Sequence, residues 1–485
     1  MNIDCIINKF KQNTPNADTS LITLAYEFAK KAHAGQRRKN GDPYIQHCLH
    51  TAFILVQINT DINTIIAGLL HDVPEDTEHT LEEISKNFGE EVSALVEGAT
   101  KLSKLKYRGV KRYRENLRKM FLAMAHDLRT ILIKFADRLH NLRTLDSLPE
   151  EKRVRIAHET LEIYAPIAGL LGICRIKYQM EDICFKYLNP EEYKILEYKY
   201  EVEKKFENSQ HIQRMKNILS EQLKKTKMNF QITSRFKNLY GIYQKMQKKH
   251  RKFDEIYDVF ALRVVVPTIS DCYKTLGIIH SLWRPNLNRF KDYIAVPKPN
   301  GYSSLQTTIF GPEGKATEFQ IRTPKMDEEA KYGVAAHWNY KIEDNANKKQ
   351  PAWIKEILKI QHTTKNTHDF IKQVKFDVFN NRIFVFSPKG DIFDLPENST
   401  PIDFAYSIHS HIGNHATSAL INDSIAPLSQ SLKNGDLVEI IVEKNRKNPS
   451  RDWLKFVKTS RAKDKIKRGL KNTLLNNIRK YISKI

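Results

Sequence analysis

The chain has little cysteine. Among its 485 residues Cys5, Cys48, Cys174, Cys184 and Cys272 are scattered, with no Cys-x-x-Cys spacing. This excludes a disulfide framework and a cysteine-based zinc site, and it is the usage of a reducing compartment. Long apolar runs are lacking too. Met1 to Gln12 carries the acidic Asp4 and only a short apolar patch, and nothing later approaches membrane-spanning length. A cytoplasmic protein without a membrane partner is expected. There is also no Walker loop, so a P-loop enzyme is excluded. Positive charge is in excess, formally +23. That implies an anionic partner, and more charge than nucleotides alone require suggests an RNA surface. The length allows three or so domains with ample cores.

Ile65, Ile66, Leu69 and Leu70 recur with helical spacing and carry His71 and Asp72 to the end of a buried helix, where Pro74 prevents regular continuation. His47, His71, Asp72 and Asp137 together offer imidazole nitrogens and carboxylate oxygens with room for water, a mixture that favours Mn²⁺ over a structural zinc. Glu75 and Asp76 follow in His71-Asp72-Val73-Pro74-Glu75-Asp76, where one of them can orient or deprotonate a water at the metal. The group reads as hydrolytic. Asn141 falls one helical turn after Asp137 and shares its face. A lone buried His is ordinarily a hydrogen-bonded core residue, and an ion pair with Arg38 or Arg143 would also satisfy Asp137. Neither accounts for the His-Asp and Glu-Asp doublets. Between Ala32 and Tyr44, Arg37, Arg38 and Lys39 stand beside Gly35, Gly41 and Pro43. That is the pattern of a tight anion-gripping loop or, alternatively, of a solvated basic turn.

A second constellation begins at Ser234 to Met246 and continues through Tyr257-Asp258 into an apolar strand, Val259 to Val266, whose only charge is Arg263. A buried guanidinium needs a phosphate, a stacked base or a structural aspartate beside it. In Arg289 to Tyr302, cations, prolines and a glycine turn precede Tyr302, an aromatic suited to stacking on a purine. Glu318-Phe319-Gln320-Ile321-Arg322 alternates, so a half-buried strand presents Glu318, Gln320 and Arg322 on one face. Glu318 can then meet Asp258 around Mg²⁺, with cations on the phosphates, an arrangement that answers the charge problem of phosphoryl-type transfer.

The segments GQRRKNGDPYIQH, HDVPEDT, KFADRLHNLRTL, RFKDYIAVPKPNGY, EFQIRT and GVAAHW give the chain, over nearly its whole length, a resemblance to the bifunctional RelA/SpoT homologues, synthetase/hydrolases of guanosine tetra- and pentaphosphate, (p)ppGpp. The resemblance implies an amino-terminal HD-type domain that holds Mn²⁺ and removes the 3′-diphosphate from (p)ppGpp, giving GDP or GTP. It implies a second domain that moves the β,γ-diphosphate of ATP to the 3′-hydroxyl of GDP or GTP. His47, His71, Asp72 and Asp137 match the family's metal ligands, Glu75 and Asp76 its water-activating acids, and Arg38, Lys39 and Asn141 its hydrolase nucleotide contacts. Asp258 and Glu318 match the Mg²⁺ and 3′-hydroxyl acids, Tyr302 the guanine-stacking ring, and Arg235 with Arg263 the adenine sandwich. Lys237, Lys291 and Lys298 join them as nucleotide-binding candidates. The hydrolase departs only at Asn40 for Ser and Cys48 for Pro. The synthetase has Asn238 for His, Gly241 for Ser, Ser303 for Gln, Gln306 for His, Asp327 for His and Lys331 for Glu. At ~1–3 kcal/mol for a lost contact near a phosphate, a working but slow synthetase is expected beside a more secure hydrolase.

The fold expected is multidomain: an all-α HD-type hydrolase domain (1–195), a helical linker (196–227), an α/β nucleotidyltransferase-like synthetase domain (228–341), a linker (342–378), a small β-grasp TGS domain (379–443) and a basic helical tail (444–485). Asn381 to Pro396 reads as a hairpin. In long family members the TGS domain contacts the tRNA acceptor end, and His409 holds the matching position; by itself His409 reads as a turn or core histidine. Trp453 and Phe456 interleave with the tail's cations, a mix that suits RNA, although a charge run is also the mark of a solvated helix face. The chain is expected to lack the zinc-finger and ACT regions of the long form. Because simultaneous synthesis and hydrolysis would only consume ATP, the two sites are expected to be coupled through residues 198–227. Two alternatives stand beside the bifunctional enzyme: a hydrolase with a weak or inactive synthetase, and a tRNA- or ribosome-binding regulator.

Overall fold

A computed structural model describes residues 1–103, 123, 126–207, 211–250, 252, 253, 256, 259–298, 301–314, 316–333, 335, 382–433, 435–443 and 448–470. Asp258, the linker 342–378 and residues 471–485 of the basic tail lie outside the described residues. The chain divides into two compact units, one holding described residues 1–103 and 126–335, the other 382–470.

The first unit opens with helices. Local caps fix where several begin: Asp61 accepts from the Thr64 amide, Thr80 from Glu83 and Asp127 from Arg129. Two of these helices are surrounded. Ile62–Leu70 is buried from Thr64 to Leu70, and Leu128–Arg143 is buried from Leu128 to Asp137 and again at Leu139, His140 and Leu142. A helix buried on nearly all sides belongs at the centre of its domain; the first delivers His71 and Asp72 at its end and the second carries Asp137. Gly68 lets the first of them approach the helix Ile45–Gln57, since a Cβ there would collide with Leu55 Cδ1.

The α/β domain is built on a sheet of β1 (Gln231–Phe236), β2 (Phe260–Val265), β3 (Arg284–Pro285), β4 (Lys291–Asp292), β5 (Leu305–Phe310) and β6 (Ala316–Arg322). The order is β1-β2-β6-β5-β3, with β4 on β5. Only β2 and β6 are parallel among these pairs, in a register that sets Ala261 beside Glu318 and Arg263 beside Gln320. The helix His211–Lys225 lies within the stretch expected to be a linker, yet Ile212, Met215, Leu219 and Leu223 recur at helical spacing and pack with Leu262, Val264, Phe319 and Ile321. Its charges occupy the other faces, so one apolar stripe makes it part of this domain's core.

The helix Cys174–Leu188 joins the two domains. Phe185 packs with Leu196, Leu239, Ile242, Phe253 and Val259 in one cluster. Close by, Gly333 has φ +56° and lies so near the Leu171–Gly172 backbone that a Cβ would collide with the Leu171 carbonyl oxygen.

In the second unit β7 (Arg382–Phe386) and β8 (Ile392–Pro396) form the expected hairpin, and β9 (Ala416–Ile421), β10 (Ser424–Ala426) and β11 (Val438–Val442) form a sheet of order β10-β9-β11. Thr400 and Asp403 make a capping box on the helix Pro401–Ile408. Asp403 also accepts from the amides of Lys458 and Thr459. Trp453, interleaved with the tail's cations in a mix that suits RNA or a solvated helix face, is 5 % exposed and packs with Ile402, Tyr406, Val457, Ala462 and Ile466; burying the indole gains more than leaving it in water. Among the described residues no helix is long and apolar enough to cross a membrane.

Candidate functional sites

His71 caps the end of Ile62–Leu70, and its Nδ1 donates to the Gly68 carbonyl at 2.9 Å. A carbonyl only accepts, so the proton is on Nδ1 and Nε2 keeps its lone pair. Burial pushes the His71 pKa down and favours this neutral form. Nε2 faces His47 Nε2 at 3.2 Å and Asp72 Oδ2 at 3.3 Å. His47 Nε2 lies 3.3 Å from Asp72 Oδ2 and 3.4 Å from Asp137 Oδ1. Burial lowers the His47 pKa, but Asp137 and Asp72 outweigh it and the net shift is upward. Its Nδ1 is 2.8 Å from Nδ1 of His140, whose pKa burial and neighbouring cations bring down to about 2. Imidazole and carboxylate atoms thus converge on one buried point, and His47, His71 and Asp137 meet the geometry of a metal-holding group. These donors fit a divalent cation, with the carbonyl behind His71 serving to orient it.

The surrounding side chains hold the carboxylates. Lys134 Nζ is 2.5 Å from Asp137 Oδ2, and Asn141 Nδ2 donates to Oδ1. Asn141 Oδ1 accepts from Arg38 Nη2 at 2.6 Å. The Asp137 partner is therefore Lys134, and neither Arg38 nor Arg143, which reaches Gln179. The Tyr44 hydroxyl lies 2.8 Å from Asp72 Oδ2 and 2.6 Å from Asp76 Oδ2. Burial, with Asp72 and Asp76 beside it, raises the Tyr44 pKa, so the phenol keeps its proton between the two carboxylates. Glu75 is half-buried, Asp76 exposed and Lys39 exposed in the basic loop. Arg38, Asp42, His47, His140 and Arg143 line an adjoining cavity of about 550 Å³.

The second site is another cavity of about 550 Å³, lined by Arg235, Lys237, Lys245, Lys291, Lys298, Glu318 and Gln320 and by Lys177 and Tyr178 of the amino-terminal domain. Gln320 Nε2 donates to Glu318 Oε1 at 2.9 Å, while Gln320 Oε1 accepts from Arg322 at 2.9 Å and Arg235 at 3.3 Å. Arg322 also reaches the Tyr302 hydroxyl, which Gln306 and Ser304 contact at 2.7 and 3.0 Å. Burial would raise the Tyr302 pKa, but Arg322 and these donors lower it. Arg263 pairs with Asp327 at 3.2 Å, the internal aspartate that the sequence left open. Arg235 Nη2 donates to the Tyr178 hydroxyl at 3.1 Å. Asn238 Nδ2 donates to Glu181 and Asp182 at 3.0 and 3.2 Å, and Asp182 also accepts from the Tyr240 amide. In the second unit His409 is exposed between two short helices, where its Nδ1 accepts from the His411 amide.

Three family models match the chain: HD domain over residues 25–174, region found in RelA / SpoT proteins over 234–345, and TGS domain over 383–442. Among curated relatives, a GTP pyrophosphokinase of Myxococcus xanthus is 44 % identical over 95 % of this chain and 61 % of its own length. A guanosine-3′,5′-bis(diphosphate) 3′-pyrophosphohydrolase of Aquifex aeolicus is 47 % identical over 93 % of the chain and 64 % of its own. The bifunctional (p)ppGpp synthase/hydrolase SpoT of Escherichia coli is 43 % identical over 94 % and 66 %.

The chain belongs to the RelA/SpoT family.

It spans 61 % and 64 % of the first two of these relatives. An HD domain with this donor set implies a divalent metal. Of the RelA/SpoT motif residues, His47, His71 and Asp137 meet at one point, Asp72 stands beside the two imidazoles, and Asn141 and Arg38 are attached to them. Arg235, Lys237, Lys291, Lys298 and Glu318 line the second cavity, Tyr302 stands behind Gln306 and Arg322, and Arg263 faces Asp327. Sequence reasoning missed Tyr44, Lys134, His140 and Tyr178. Lys134 was within reach of it, since it precedes Asp137 by three residues on one helix.

Proposed function

We propose that the chain is a bifunctional stringent-response enzyme of the cytoplasm. One site hydrolyses (p)ppGpp to GDP or GTP and pyrophosphate; the other transfers diphosphate from ATP to the 3′-hydroxyl of GDP or GTP. The observation that carries the reading is the presence of two separate sites of opposite character, a buried imidazole–carboxylate cluster and a cation-lined cavity. Mn²⁺ at His47, His71, Asp72 and Asp137, and Mg²⁺ at Asp258 and Glu318, would supply Lewis acidity and shield phosphate charge. In the hydrolase, one of Glu75 and Asp76 takes the proton of the attacking water while the other orients it, and the Tyr44 hydroxyl holds Asp76 in place. Arg38 and Lys39 bind the nucleotide's phosphates, with Asn141 fixing Arg38. In the synthetase, Lys237, Lys291 and Lys298 hold phosphates, Arg235 and Arg263 flank adenine, Tyr302 stacks on guanine and Glu318 receives the 3′-hydroxyl proton. His409 and the basic tail offer a tRNA or ribosome contact.

A hydrolase-dominant reading has one observation in its favour. Arg235 and Asn238 are already engaged by Tyr178, Glu181 and Asp182 of the amino-terminal domain. Both readings are tested by supplying ATP and GDP with Mg²⁺ in one assay and ppGpp with Mn²⁺ in another. Product in both, lost separately in Asp258→Ala and Asp72→Ala, is expected. Hydrolysis alone selects the second reading, and turnover in neither removes both.

A further inference from the structure

One buried carboxylate stands behind the strands that wall the second cavity, bonded to an arginine from each of two of them. Asp327 lies in the first turn of the helix Pro324–Tyr332, whose cap is the Thr323 side chain. Its Oδ1 is 3.2 Å from Arg263 Nη1 and 3.3 Å from Arg322 Nη1, and its Oδ2 is 2.6 Å from Lys331 Nζ. Arg263 and Arg322 come from the parallel neighbours β2 and β6. Two guanidiniums brought together away from water repel each other, and an anion between them allows both to stay charged. Burial, followed by Arg322, pulls the Arg263 pKa down, and Asp327 opposes that shift. From Arg322 the constraint passes to the Tyr302 hydroxyl and to Gln320, which holds Arg235 and Glu318. Asp327 and Lys331 both depart from the family pattern noted above. Four residues apart on one helix face and bonded to each other, they form one exchanged pair instead of two separate losses.

We propose that Asp327, held by Lys331, is a positioning residue for both nucleotides, fixing Arg263 on the adenine side and, through Arg322, Tyr302 on the guanine side. This rests on the synthetase reading. In the full chain, Asp327→Asn is expected to raise KM for ATP and for GDP by about tenfold each with kcat changed by less than about threefold. The double variant Asp327→His with Lys331→Glu is expected to recover most of what Asp327→His alone loses. A lowered melting temperature with both KM values unchanged, or strictly additive losses in the double variant, would overturn the proposal. Calorimetric binding of GDP and of a non-hydrolysable ATP analogue separates the two readings. If the native chain binds both but makes no product, the synthetase reading fails, while weakened binding in Asp327→Asn still supports the positioning role. If Asp327→Asn does not fold, the comparison of Lys331→Glu, at an exposed position, with the double variant decides the pairing.

Discussion

At the His47 cluster the side chains facing the centre are imidazole nitrogens and carboxylate oxygens, all supplied by helices and helix ends of one domain and buried. At the β6 cavity the walls are mainly cationic, and Lys177 and Tyr178 come from the neighbouring domain. The chemistry of the first suits a cation and that of the second an anion. Each site restrains its own excess of charge from behind: Lys134 and Tyr44 hold the carboxylates of the first, while Gln320 and Asp327 hold the guanidiniums of the second, and Tyr178 engages Arg235 from the cavity wall. The difference teaches that the imidazole–carboxylate cluster can form with its domain, whereas the cationic cavity depends on how two domains meet.

The largest effect expected is on the first site. Asp72→Asn should lower ppGpp hydrolysis by about a thousandfold, equivalent to about 4 kcal/mol of barrier, with AMP formation from ATP and GDP nearly unchanged. A loss shared by both activities would break the contrast between a self-contained and a borrowed site. Next is the domain junction. Gly333→Ala places a Cβ against the Leu171 carbonyl at a left-handed φ, and should destabilise the chain by about 2–4 kcal/mol in denaturant unfolding. Undiminished stability would mean that this junction is not formed in solution.

A smaller effect concerns pH. Burial raises the Asp182 carboxyl from 3.8 to about 6, against the hydrogen bonds from Tyr240 and Asn238 that lower it. The folded state therefore binds the proton more tightly than the unfolded state between about pH 4 and 6, and stability from this group falls as pH rises through that window. Asp182→Asn should remove the dependence and raise stability at pH 7 by about 1–3 kcal/mol, read by melting temperature against pH. The smallest effect expected is at Tyr178. Tyr178→Phe removes the hydroxyl that holds Arg235 and should lower KM for ATP by about two- to tenfold, the range of one hydrogen bond; a raised KM would instead make Tyr178 a support for Arg235.

Local pattern made much of this legible. The apolar period through Ile65 and Leu70 put His71 and Asp72 at a helix end, the spacing of Asp137 and Asn141 put them on one face, and the alternation of Glu318, Gln320 and Arg322 gave their shared row. The same helical spacing links Lys134 to Asp137 and Asp327 to Lys331, pairs that became evident only with the structure. The helix His211–Lys225 misled because a charged sequence hides a single apolar face until its partner surface is known.

What the sequence determined by itself was the chemistry of each site, because residue type, period and local spacing set which groups share a face. Only the tertiary structure decided which groups oppose one another: Tyr44 between Asp72 and Asp76, Tyr178 on Arg235, Asp182 at the start of the helix Leu239–Lys249. These pairs are far apart along the chain, and their meeting depends on the packing of whole helices and sheets, which no local pattern encodes.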